Sequence, residues 1–214
     1  MGQHPSAAFL LVWSLALFSL ATVSFLLCPL HTRFRSVRLE FSHHIGVNYL
    51  FAPFISFLLL VQSASFIHST SMLYVVSCLL FSFPILILDI KIYGQWFTAR
   101  GKRFLSTVAN PTSQLSVIGN LVGARAAAMM GWRESAMFMF ALGMAHYIVL
   151  FVTLYQRLEC SGGGAIPAML RPVFFLFFAA PSMASLAWSS IAGSFDIYFA
   201  RCSSFYHFSS LLPW

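Results

Sequence analysis

Charge is what this sequence is poorest in. Asp, Glu, Lys and Arg make up 8% of its 214 residues, against about 25% in a soluble globular domain. Only five residues are carboxylates (Glu40, Asp89, Glu134, Glu159 and Asp196), and they are scattered. Without paired acids, a Walker sequence, a G-x-S-x-G turn or an H-E-x-x-H helix, no catalytic arrangement is expected. The four cysteines, Cys28, Cys78, Cys160 and Cys202, fall at wide, irregular intervals with no C-x-x-C pair. That spacing supports neither a disulfide framework nor a metal site, and no cofactor is expected. Polar linkers and low-complexity tracts are also lacking.

What fills the chain is hydrocarbon. Apolar residues reach 59% and the mean hydropathy is +0.83, more apolar surface than a soluble fold hides. Six runs come near or reach the roughly 20 residues that cross a hydrocarbon core about 30 Å thick. They are Ala7 to Cys28, Val47 to Phe66, Met72 to Trp96, Thr112 to Met130, Ser135 to Tyr155 and Val173 to Ala192. The sequence therefore predicts an all-α, polytopic transmembrane protein of about six helices over residues 1–196, with a divergent tail over 197–214. The first run is longer than the hydrophobic stretch of a signal peptide and lacks a basic lead-in, so it reads as a retained membrane helix.

The net charge of +7 does not point to nucleic acid, because the basic residues sit between apolar runs instead of lining one polar face. They read as topology signals. Arg33, Arg35, Arg38, Arg100, Lys102, Arg103, Arg157 and Arg171 fall in alternate loops, against Arg133 and Arg201 on the opposite side. Eight against two places both termini on the non-cytoplasmic side. A first helix with no flanking charge to carry its amino terminus across is the pattern expected when another helix precedes it.

Within the spans, Pro53, Pro84, Pro111 and Pro181 remove backbone donors, either as ordinary membrane-helix prolines or as kinks of pore-lining helices. Gly119-Asn120-Leu121-Val122-Gly123, continued by Ala127, makes a small-residue face for close helix contact. Arg125 lies about 6 Å towards the outer side of its span at 1.5 Å per residue. There it either draws anions into a pore or reaches the interface, snorkelling or pairing with Glu134. Asp89 and Lys91 are about 200° apart on their helix, so they do not pair with each other, and each either finds a partner on another helix or reaches the cytoplasmic interface. His146, central in the fifth span, either relays protons or binds a ligand, or is a hydrogen-bonded core histidine, the reading favoured by the lack of a second histidine or carboxylate at i, i+3 or i+4. Phe174, Phe175, Phe177 and Phe178 cluster in the sixth; such rings usually face lipid or core, but one that projects into a pore dewets and occludes it.

Several stretches carry a resemblance: Glu40-Phe41-Ser42-His43-His44-Ile45-Gly46-Val47-Asn48-Tyr49-Leu50-Phe51-Ala52-Pro53, Lys91-Ile92-Tyr93-Gly94-Gln95-Trp96, Val108-Ala109-Asn110-Pro111 and Leu115 to Asn120. Others are His146-Tyr147, Phe151 to Leu158, and Arg171-Pro172-Val173-Phe174 through Pro181-Ser182 to Ala187-Trp188. Over about residues 8–196 the chain resembles the plant slow-type anion channels, the guard-cell channels and their homologues within the tellurite-resistance and dicarboxylate-transporter family. The resemblance implies a ten-helix fold of five hairpins around a central pore, usually trimeric, whose odd-numbered helices line the pore and are proline-kinked. On that register this chain supplies the second to seventh helices. Phe51 then matches a pore-facing aromatic position, and Pro53, Pro111 and Pro181 fall on pore helices. Phe51, Pro53, Asn120, Arg125, Phe178 and Pro181 are accordingly the expected pore-lining or gating residues. The departures are the first and the eighth to tenth helices, with the family's gating phenylalanine on the ninth, the stretch 28–37, which fits poorly, and the stretch 197–214, which does not resemble the eighth helix.

The implied function is a plasma-membrane channel subunit for chloride and nitrate, working as a homo- or hetero-trimer. A malate-type dicarboxylate carrier and a non-conducting truncated subunit that associates with full-length relatives are the alternatives. The 214 residues alone are expected not to conduct.

Overall fold

A computed structural model describes residues 6–27, 46–98, 109–158, 173 and 175–193. The loops carrying most of the basic residues, three of the four cysteines, Phe174 and the tail lie outside the described residues. Ala7–Leu27 forms α1, Gly46–Tyr49 a single turn, α2, and Phe51–Ser63 α3. Met72–Thr98 forms α4, Gln114–Met129 α5, preceded by the 3-10 turn Pro111–Ser113, Arg133–Leu158 α6 and Leu176–Ala192 α7. No strand occurs among the described residues, and every expected span is helical.

The helix ends have local causes. The second span is split at Leu50, whose N–H bonds the Val47 carbonyl at 3.2 Å. Pro53 explains the split: its ring collides with the carbonyl four residues back, that of Tyr49, and it has no N–H to offer it. Pro53 thus sits in the first turn of α3 and divides the segment, where a kink inside a continuous helix was expected. Pro84 and Pro181, by contrast, stay within unbroken helices. Asn110 caps the entry to α5: its side chain accepts from the Thr112 N–H at 3.0 Å and also meets the Thr112 hydroxyl, while its own N–H bonds Ser113 Oγ. Pro111 follows in the first helical position, where a missing N–H costs nothing.

α5 ends in a Schellman turn. Trp132 N–H reaches the Ala127 carbonyl at 2.9 Å and Gly131 N–H the Ala128 carbonyl at 3.0 Å. The turn requires a left-handed residue, supplied by Gly131 at φ 82°.

Four segments are long and apolar enough to cross a membrane: Ala7–Phe25, Gly46–Ser63, Met72–Gly94 and Arg133–Gln156. α5 is not among them, yet it occupies the centre. Twelve of its sixteen residues are buried, and α3, α4, α6 and α7 all pack on it. With its 3-10 turn it is about 30 Å long. Its Gly and Ala content is what lets four helices approach: Gly119 lies under Phe51, Ile55 and Ile85, and Gly123 under Met139. α7 answers with Ala180, Ala184 and Ala187, all buried.

The outer helices turn apolar faces to the surroundings. On α4, Met72, Val76, Leu79, Phe83, Ile87 and Ile90 are exposed at helical spacing, while Tyr74, Cys78, Ile85 and Leu88 are buried. A surface of that kind is stable against acyl chains and not against water, so the chain is an integral membrane protein. α1 stands outermost. It is fastened to the far end of α3 by Trp13, whose indole N–H donates to the Leu60 carbonyl at 3.1 Å and whose ring meets Phe66 edge-on at 4.9 Å.

Candidate functional site

Polar groups buried in a membrane helix bundle are costly and concentrate where function is exercised. Here they run along α5. At its entry, Asn48 of α2 donates to the hydroxyls of Thr112 and Ser113, at 3.2 and 3.3 Å, so the turn before the Pro53 break is tied to the start of the central helix. The next residue, Gln114, is wholly buried and neither its amide nitrogen nor its oxygen has a hydrogen-bond partner among the described residues.

The next layer joins three helices. Ser116 of α5 donates its hydroxyl to Asp89 Oδ1 of α4 at 2.6 Å, and its oxygen lies 3.2 Å from His146 Nδ1 of α6. The Tyr93 ring stands 5.3 Å from the imidazole. Asp89 and His146 are 2% and 3% exposed, so Asp89 finds its partner on another helix, Ser116, and His146 is a hydrogen-bonded core residue. Asn120, one turn beyond, gives its amide to the Ser116 carbonyl at 3.2 Å.

The third layer lies towards the Gly131 end. Arg125 Nη1 donates to Gln62 Oε1 of α3 at 3.0 Å, and Gln62 Nε2 donates to the Val122 carbonyl at 2.9 Å. Glu134, one of the alternatives for Arg125, is exposed on α6 and does not pair with it. Five residues separate Asn120 from Arg125, about 140° around the helix, so the two face different neighbours. Asn120 looks towards α6, where Gly143 makes room for it. Arg125 lies on the less buried side of α5, with Leu115, Ala128 and Met129.

Phe51 is fully buried, its ring over Gly119. Phe178 is 38% exposed on α7, and Pro181 is half-buried there. The structure therefore brings Phe51, Asn120 and Arg125 on to α5 and leaves Phe178 outside that cluster. Sequence reasoning missed Asn48, Gln62 and Ser116. A signal for Gln62 existed: it follows Phe51, Ile55 and Leu58 at helical spacing, a polar residue on the buried face.

Comparison with known proteins bears on this arrangement. The family model described as voltage-dependent anion channel, SLAC1, matches residues 2–212. The S-type anion channels SLAH1 and SLAH4 of Arabidopsis thaliana are each 58% identical over 195 residues. Those matches cover 90% and 91% of this chain and 49% and 53% of the relatives. The guard cell S-type anion channel SLAC1 of the same plant is 46% identical over 192 residues, 87% of this chain and 34% of its own length. The chain thus spans about half the length of the first two relatives and about a third of the third.

Proposed function

Since the chain belongs to the voltage-dependent anion channel family typified by SLAC1, we propose that it serves as a subunit of an S-type channel passing chloride and nitrate across the plasma membrane. The observation that carries this reading is Arg125, a guanidinium held among membrane-spanning helices by a neutral amide. A cation so placed lowers the energy of an anion at that depth, whereas a carboxylate partner would cancel its field. Phe51, Pro53, Phe178 and Pro181 are proposed to shape and gate the path, with the break at Leu50 as the flexible joint of α3. Asn120 contributes through its bond to the Ser116 carbonyl. A homo- or hetero-trimer with related subunits, both termini outside the cytoplasm, completes the proposal.

The described helices pack around a helix, α5. The 214 residues expressed alone in oocytes, with surface biotinylation to confirm delivery, are expected to give no chloride or nitrate current above uninjected cells. A robust current reduced by Arg125→Ala would overturn that part of the proposal.

One observation favours a second reading, a proton-coupled carrier of malate-like dicarboxylates. Asp89 and His146 are linked through Ser116 in the core, and buried titratable chains of this kind serve proton relays. A reversal potential that follows imposed chloride and nitrate gradients and ignores a proton gradient supports the channel; obligatory coupling to protons supports the carrier.

A further inference from the structure

We infer that Gln62 is a positioning residue that makes Arg125 a binding fork for a small planar oxyanion of the nitrate type. The inference rests on the channel reading and names the site at which that channel would hold its ion.

The amide of Gln62 is 7% exposed and used at both ends: its nitrogen donates to the Val122 carbonyl, and its oxygen accepts from Arg125. Reversing the amide would set its NH2 against the guanidinium and its oxygen against a carbonyl, so its orientation is fixed. Val122 and Arg125 are one turn apart on α5, so the strut from α3 braces the helix and the guanidinium together. A flexible Arg side chain is thereby held in one pose, and the entropy of ordering it is met before any ligand arrives.

The strut satisfies only part of the group. A guanidinium has five N–H donors; among the described residues Arg125 uses one hydrogen bond, and its Nε is buried with no partner. No carboxylate compensates its charge among the described residues. Leaving a buried ionic donor unmade is costly, and an anion supplies both the acceptors and the opposite charge. The fork geometry favours two oxygens held in one plane, which nitrate has and chloride lacks. Because Gln62 is neutral, it orients the cation without competing for it. A glutamate there would still accept from the guanidinium and would cancel its charge, while losing the bond to the Val122 carbonyl.

That contrast gives the test. The purified 214-residue chain in lipid nanodiscs is melted in sodium nitrate, chloride or gluconate at equal ionic strength. The wild type is expected to rise in melting temperature saturably with nitrate, more weakly with chloride and not with gluconate. Gln62→Leu should raise the half-saturating nitrate concentration by about tenfold or more, as expected for losing a hydrogen bond to a charged group. Gln62→Glu, which keeps an acceptor for Arg125 and loses the bond to Val122, should stay folded without nitrate yet lose the nitrate response, an outcome that a merely structural glutamine would not give. Arg125→Lys, which keeps the charge and loses the fork, should respond to nitrate and chloride alike. A wild type indifferent to nitrate, or a Gln62→Glu variant with the full nitrate response, would overturn the inference. Binding of nitrate without conduction by any assembly containing these helices would overturn the channel reading and leave this one standing.

Discussion

One hydroxyl, that of Ser116, joins a carboxylate and an imidazole from two other helices. Its removal takes a hydrogen bond from each group where water is scarce, so Ser116→Ala should destabilise the fold by about 1–3 kcal/mol. Thermal unfolding in detergent would show it as a lowered midpoint. Asp89→Asn, which keeps an oxygen for Ser116, should lose less; equal midpoints for Ser116→Ala and wild type would refute the three-helix joint. The sequence announced Asp89, Arg125 and His146 because charge and histidine are conspicuous in apolar runs. It did not disclose which partners they take, since Ser116 and Gln62 come from turns far away in the chain and neither residue type stands out. The pairing of Arg125 with Glu134, one of the alternatives, failed for the same reason: nearness along the chain gave no orientation, and Glu134 starts α6 on its exposed side.

Helices were legible as helices, because apolar runs of membrane length permit little else. Their ends moved by a few residues where caps decide, as at Ala64, whose N–H closes back on the Val61 carbonyl and stops α3 at Ser63. The role of α5 was half visible. Its small-residue face was plain, but burial on nearly every side is a property of four neighbours that a single run cannot reveal. Two glycines at these contacts make opposite predictions. A Cβ at Gly143 would stand 3.2 Å from Asn120 Cβ and 3.3 Å from Leu121 Cγ, atoms close to the α5 backbone, so α5 and α6 must part. A Cβ at Gly123 meets only the flexible end of Met139 and, at 4.0 Å, Ser82 Oγ. Gly143→Ala should therefore cost about 1–3 kcal/mol and Gly123→Ala distinctly less, as measured by unfolding midpoints of the two variants side by side. The reverse order would mean that the α5–α6 contact is looser than its geometry.

For the molecule as a whole, the start of α1, the α3–α4 and α5–α6 turns and the close of α7 share one end of the bundle, as alternating spans require. The eight-to-two excess of basic residues in the other set of loops is the ground for proposing that this shared end faces away from the cytoplasm. Protease-accessible tags at each terminus and one between residues 98 and 109 should report outside, outside and inside; a cytoplasmic carboxyl terminus would contradict the six-span topology. Function was legible mainly through resemblance, because the chemistry of a pore resides in the path between helices more than in any motif along one of them. The most direct measurement replaces the matching segment of a full-length S-type relative with residues 46–193 of this chain and records currents in oocytes under imposed anion gradients. The account predicts a surface-delivered chimera whose reversal potential follows external nitrate and chloride, with current reduced by Arg125→Ala. A chimera that reaches the surface and carries no anion current, or whose current is indifferent to the loss of Arg125, would contradict it.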